Sequence, residues 1–149
     1  MLSIKQINSE EELENLTKQE IIDFLHTYLD KFRDDKVSIG KCLDYAFSEG
    51  TGKGGFLLTG YYEGKLVGAV IMNKTGMEGY IPENLLVYIA VDASVRGKGI
   101  GRQLMEEVIK RVKGDIKLHV EYDNPAKRLY ESLGFSTKYA EMRYTKKSN

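Results

Sequence analysis

Proline is scarce in this chain, two residues in 149, and cysteine occurs once. The lone thiol, Cys42, cannot form an intramolecular disulfide, and no His or Cys stands at ligand spacing from another, so no metal site is expected. Net charge is missing as well: 22 Lys and Arg balance 22 Asp and Glu. A general nucleic-acid or anionic-membrane binder relies on a large positive excess, so neither partner is expected. No apolar run approaches the roughly 20 residues that cross a bilayer. Residues 1–9 show no charged-then-apolar signal pattern, and a cytoplasmic protein is the expectation. What remains is the balance of a soluble globular fold, 42% hydrophobic and 30% charged over 149 residues. That length suits a single domain, 1–149.

Glycine, by contrast, is plentiful and concentrated: twelve of the fifteen lie between Gly50 and Gly101. Charge is also uneven. Residues 1–35 carry nine acids against four bases, whereas Arg96, Lys98, Arg102, Lys110, Arg111 and Lys113 face only Glu106 and Glu107 in residues 96–113. Any basic site is therefore local, beside a cluster of glycines.

The hydrophobic pattern predicts a short strand at 3–7 and a helix start at Ser9, with Glu12 completing a capping-box spacing. Ile21, Leu25, Tyr28, Leu29 and Phe32 form one helical stripe ending near Asp34, and 37–47 reads as a second helix holding Cys42 in a packing role. His26 lies off that stripe and reads as an ordinary helix-flank residue. Gly50 to Gly55 (GTGKGG) superficially resembles a phosphate loop. The Walker pattern, however, needs Gly where Phe47 stands and Ser or Thr where Gly54 stands, so it reads as a flexible connector. Strands are expected at 56–62 and 65–73, turned at Glu63-Gly64. The apolar run LLVYIAV (85–91) suits a central strand buried on both faces. Ile100, Leu104, Val108 and Val112 then mark an amphipathic helix stopped at Gly114, and 116–120 a parallel strand on which His119 is a surface residue. Asp123 or Asn124 as N-cap, Pro125 at the first position and Gly134 beyond the end punctuate a last helix. One or two strands are expected at 136–146.

Chemistry concentrates in Arg96-Gly97-Lys98-Gly99-Ile100-Gly101, a turn onto a helix N-terminus. There the first N–H groups lack partners and the helix dipole is positive, which suits a phosphate that glycines let come close. The dinucleotide pattern G-x-G-x-x-G fails at Arg102; Arg-x-x-Gly-x-Gly fits.

This loop after Ile89-Ala90-Val91-Asp92, followed some thirty residues later by Ala126 to Phe135 (AKRLYESLGF), resembles the two motifs of the GNAT family of N-acetyltransferases. The resemblance implies an α/β (α+β) fold with a mixed, mostly antiparallel central sheet, a parallel splayed strand pair and about four flanking helices. It implies acetyl-CoA as cosubstrate, its pyrophosphate held by the backbone from Arg96 through Gly97, Lys98, Gly99 and Ile100 to Gly101, with Arg102 beside them. Ile89, Ala90 and Val91 would offer backbone to the pantetheine and acyl groups. Tyr130 matches the tyrosine thought to protonate the departing thiolate. The family usually has Asn seven residues before it; here that place is Asp123, leaving Asn124 as either a CoA ligand or a helix cap.

The reaction makes its own demands. An amine of pKa about 10.4 must lose a proton, costing roughly 4–5 kcal/mol at pH 7, so a base or a desolvating pocket is needed. Glu83 is the candidate base, acting through water, although the family position corresponds to Leu85. Cys42 has no activating partner, which favours direct transfer to a primary amine of a small molecule or peptide over a covalent intermediate. The expected assembly is a monomer or homodimer. The alternatives are a non-catalytic CoA-binding sensor or interaction module of the same fold, and a dinucleotide-binding module.

Overall fold

The structure is a computed structural model that describes residues 1–147. Strand β1 (Leu2–Ile7) leads into a 3-10 turn, Glu10–Leu13, and then α1 (Lys18–Tyr28). The helix does not begin at Ser9, whose side chain caps nothing: Glu12 Oε1 instead accepts from the Asn8 N–H at 3.0 Å. A full capping box stands further on, with the Thr17 hydroxyl accepting from the Glu20 N–H at 3.1 Å and Glu20 Oε1 from the Thr17 N–H at 3.2 Å. Nor does α1 run to Asp34. It stops at Tyr28, and Asp30 turns to φ 54°, a left-handed conformation that ends helical progression. Helix α2 (Lys36–Ala46) is capped by Asp35, whose Oδ1 accepts from the Ser38 N–H at 2.7 Å.

Strands β2 (Gly55–Tyr62), β3 (Lys65–Lys74) and β4 (Asn84–Val91) follow, then α3 (Ile100–Arg111) and β5 (Ile116–Leu118). The sheet order is β1-β2-β3-β4-β5, antiparallel throughout except for the parallel β4–β5 pair. Ile21 and Leu25 of α1 and Ile39 and Leu43 of α2 pack with Leu57, Ala69, Ile71 and Tyr88 in one buried cluster. Neighbouring residues on a strand point to opposite faces, and Gly68, next to Ala69, lies under α3. A Cβ on Gly68 would meet Leu104 Cδ1 at 2.7 Å, and one on Gly60 would meet Leu104 Cδ2 at 3.5 Å. These two paired glycines let α3 sit close to the sheet, with Leu104 fully buried, a contribution of about 1.5–3 kcal/mol for such a side chain. The expected hairpin forms, and 85–91 is a strand, but it is neither central nor buried on both faces. Strand β4 lies fourth of five with buried and half-buried positions alternating, and the middle strand β3, buried from Val67 to Met72, is the one covered on both sides.

Met1–Leu118 makes one compact unit and the chain from His119 a second. The second contains α4 (Ala126–Ser132), followed by Gly134 at φ 102°. The strands expected at 136–146 do not form, and β5 stops at Leu118 rather than Val120. Tyr139, Met142 and Tyr144 are 79%, 92% and 88% exposed. Their three-then-two spacing does not keep the period of two that would hold apolar side chains on one face of a strand.

Candidate active site

The glycine loop is set by what precedes it. Asp92, 3% exposed, ends β4; its Oδ1 accepts from the Ser94 N–H and hydroxyl, both at 2.8 Å, and its Oδ2 lies 3.3 Å from Lys65 Nζ. The Ser94 backbone and hydroxyl donors, then Lys65, pull its carboxyl down to about 2. This closes a 3-10 turn, Ala93–Val95, from which Arg96 leads in extended form to Gly97 (φ 83°) and Gly99 (φ 79°), the N-cap of α3. Both glycines hold left-handed conformations that side chains adopt at a cost, and a Cβ on either would meet nothing within 4 Å. Ile100, 5% exposed, anchors the first turn, so the helix end is fixed while the space before it stays open. Among the described residues the N–H groups of 97–101 find no acceptor. Five consecutive unpaired donors at the positive end of a twelve-residue helix suit a pyrophosphate. The residues therefore fit CoA.

The second element is the open edge of β4. Its parallel pairing to β5 covers only Asn84, Leu85 and Leu86, so Val87 to Val91 have no β5 partner. On the other side β4 carries a bulge: Ile71 pairs with Tyr88 and Met72 with Leu86, leaving Val87 without a β3 partner. Bulges re-aim backbone groups and are frequent beside active sites. Ile89 and Ala90 both remain in register with β3, but adjacent residues turn to opposite edges: Ala90, like Asp92 whose N–H donates to the Val67 carbonyl at 2.8 Å, faces β3, and Ile89 presents the other edge. Val91 differs, because its carbonyl already accepts from Arg96 Nε at 3.0 Å. Val87 had no sequence signal, since a bulge inside an apolar run changes neither composition nor period.

The charged candidates separate. Lys98 Nζ lies 6.0 Å from the Tyr62 ring centroid, and Arg102 is exposed on the first turn of α3. Arg96 turns away from the loop: its NH1 donates to Asp30 Oδ2 at 2.9 Å and its NH2 to the Tyr28 carbonyl at 2.6 Å. Glu83 stands before the first residue of β4, whereas the glycine loop follows the last; eight strand residues span about 25 Å. Its Oε1 accepts from the Asp115 N–H at 3.3 Å, and its carboxyl fills the space a Gly114 Cβ would take. Asn84 Nδ2 holds the same turn through the Lys113 and Asp115 carbonyls at 2.7 and 3.1 Å.

In the second unit, Asn124 Oδ1 accepts from the Ala126 N–H at 2.9 Å, so its side chain caps α4. Tyr130 is 6% exposed, its ring centroid 6.0 Å from that of Phe135, and burial pushes its phenol up to about 12. It is therefore a proton-bearing hydroxyl at every physiological pH. Cys42, in the other unit, is buried and pushed up to about 12 by desolvation, with Sγ 3.5 Å from Asn73 Oδ1, and is an inert thiol. No group of three or more His, Cys, Asp or Glu able to hold a metal occurs among the described residues.

Comparison with known proteins places this architecture. A family model described as the Acetyltransferase (GNAT) family matches residues 11–135, and the chain belongs to that family. No curated protein matches the sequence. Solved structures share the fold. A ribosomal-protein-alanine N-acetyltransferase from Brucella melitensis biovar Abortus 2308 is 17% identical with a TM-score of 0.66, over 97% of this chain and 99% of that one. The aminoglycoside N-acetyltransferase AAC(6')-Iy in complex with CoA is 16% identical with a TM-score of 0.66, over 99% and 96%. An aminoglycoside acetyltransferase from an uncultured soil metagenomic sample, in complex with sisomicin, is 18% identical with a TM-score of 0.64, over 98% and 97%.

Proposed function

We propose that the protein is an acetyl-CoA-dependent N-acetyltransferase that moves the acetyl group directly to a primary amine of a small molecule or peptide. The observation that carries this reading is the run of unpaired N–H groups at 97–101, leading into α3 and after a strand, β4, whose parallel pairing ends at Leu86. When bound, acetyl-CoA supplies a thioester carbonyl as electrophile: the amine nitrogen bonds to that carbon, the carbon–sulfur bond breaks, and the surplus amine proton balances the thiolate.

The chain's own groups meet the remaining needs. The 97–101 amides hold the pyrophosphate, and the unpaired edge at Val87 and Ile89 offers backbone donors for the pantetheine arm and for charge developing on the carbonyl oxygen. Tyr130 is assigned as the proton donor to the thiolate, supported by its place in the second motif and by a phenol that burial keeps protonated. Glu83 is assigned to the fold, since its carboxylate already holds the Asp115 N–H. Arg102 and Lys98 supply positive charge beside the pyrophosphate, and Asn124 is assigned to the α4 cap.

The acceptor kinds in the compared structures, an aminoglycoside and a ribosomal-protein alanine, both present amines, which supports screening both classes. The test is free-thiol release from acetyl-CoA across a panel of polyamines, aminoglycosides and peptides with free N-termini. Amine-dependent thiol release supports the reading. CoA binding with no turnover on any amine would make the protein a CoA-binding module, and no CoA binding would overturn the cofactor assignment.

A further inference from the structure

Arg96 opens the glycine loop, yet its side chain is spent on the protein. Nε donates to the Val91 carbonyl at 3.0 Å, NH1 to Asp30 Oδ2 at 2.9 Å, and NH2 to the Tyr28 carbonyl at 2.6 Å. Those acceptors belong to α1, to the 3-10 turn that follows it (Asp30–Phe32), and to β4. Tyr28 is the last residue of α1, and a helix's final carbonyls lack intrahelical donors and carry the negative end of its dipole. Val91 is the last residue of β4, where the chain departs toward the loop. Asp30 presents its carboxylate from a left-handed conformation, φ 54°, and its carbonyl is itself held by Arg33 Nε at 2.8 Å. The same segment is tied a second time, by the Tyr88 hydroxyl donating to Asp34 Oδ2 at 2.5 Å.

We infer that Arg96 is a positioning residue: its guanidinium clamps the end of α1 to the end of β4 and so fixes the take-off of the phosphate-binding loop, without itself contacting the cofactor phosphates. A planar fork with separate donors can serve three fixed acceptors at once; a single ammonium cannot hold that geometry. Asp30 neutralises the guanidinium, so the cradle's attraction for phosphate comes from the 97–101 amides, Lys98 and Arg102. The binding readout rests on the CoA assignment above, while the structural readout does not.

The test compares Arg96→Lys, Arg96→Ala, Asp30→Ala and the double Arg96→Ala/Asp30→Ala in the full chain, using CoA as the calorimetric ligand and amide hydrogen exchange of the free protein. The expected result is that all three single variants weaken CoA binding by a similar factor, about five- to twentyfold at 25 °C, that the double is no weaker than Arg96→Ala, and that the Phe32 and Arg33 amides, bonded to Leu29 and Asp30 carbonyls, exchange faster in each. A role confined to global stability would lower Tm and leave the CoA Kd well below Tm unchanged, and would overturn the inference. So would Arg96→Lys binding like wild type, or Asp30→Ala binding CoA as well as or better than wild type while Arg96→Ala binds worse, since a guanidinium acting on phosphate is freed when its carboxylate partner is removed. If wild type fails to bind CoA, the cofactor reading falls, and unchanged exchange at Phe32 and Arg33 in Asp30→Ala and Arg96→Ala would separately overturn the clamp.

Discussion

Two glycine-rich hexapeptides, GTGKGG at 50–55 and RGKGIG at 96–101, have almost the same composition and opposite fates. The first is closed upon itself. The Tyr45 hydroxyl lies 2.8 Å from the Gly52 carbonyl and 2.7 Å from that of Lys74, the Lys53 N–H bonds to the Gly50 carbonyl at 3.3 Å, and a Cβ on Gly55 would strike the Met72 carbonyl oxygen at 1.9 Å. It leads into a strand. The second leads into a helix, leaves its N–H groups unpaired, and has open space over Gly97 and Gly99. Glycine and lysine therefore do not make an anion site by themselves. What sets the second apart is the twelve-residue helix that follows it and the open space over its glycines.

The largest expected break in this comparison is at Tyr130, where chemistry rather than binding is at stake. Tyr130→Phe should lower kcat on the best amine by about a hundredfold while leaving the CoA Kd within twofold. Because burial raises the phenol to about 12, wild-type kcat should show no alkaline loss from this group between pH 8 and 10; the activity it supports is lost only as pH rises through its raised pKa. A pH–rate profile with an alkaline limb below pH 10 that Tyr130→Phe abolishes would contradict the assignment.

Next comes the matched pair Gly99→Val and Gly52→Val. Both force a β-branched residue into positive φ, 79° and 75°, at a stability cost of about 1–3 kcal/mol each. Only Gly99→Val should weaken CoA, by about tenfold or more, the scale of one or two charge-assisted hydrogen bonds.

The turn that launches the loop is pH-sensitive. Asp92 is held at about 2, well below its ordinary 3.8, so its stabilisation is present above pH 4 and is lost as pH falls through about 2. It amounts to about 1–2 kcal/mol. Acid denaturation of Asp92→Asn should be displaced from that of wild type by this amount between pH 4 and 2, and identical curves would remove Asp92 from the turn's stability. The smallest effect is expected at Glu83→Gln, which should cost about 1 kcal/mol by chemical denaturation and leave kcat within twofold. A hundredfold fall in kcat at unchanged stability would restore Glu83 as the base.

Most of the fold was legible because its signals are local. Apolar runs bounded by turn residues mark β2, β3 and β4, the period-3.6 stripe marks α3, and the motif pair marks the loop and α4. What was misread depends on distant or silent features. Ser9 and Thr17 both precede a glutamate by three residues, and only the fold decides that Thr17 caps. Residues 136–147 carry aromatics but no strand. Gly60 and Gly68 fall inside the expected strands, and nothing local to them shows that they seat α3 on the sheet. In the candidate site the backbone cradle was legible from glycine spacing. The commitments of Arg96 to Asp30 and of Glu83 to Asp115 were not, since each joins residues far apart in the chain.

The most direct test is calorimetric titration of CoA into wild type, Gly99→Val and Gly52→Val under one condition. The account predicts saturable binding to wild type, equal affinity for Gly52→Val, and a Kd raised about tenfold or more for Gly99→Val. Unchanged affinity in Gly99→Val, or no binding by wild type, would contradict it.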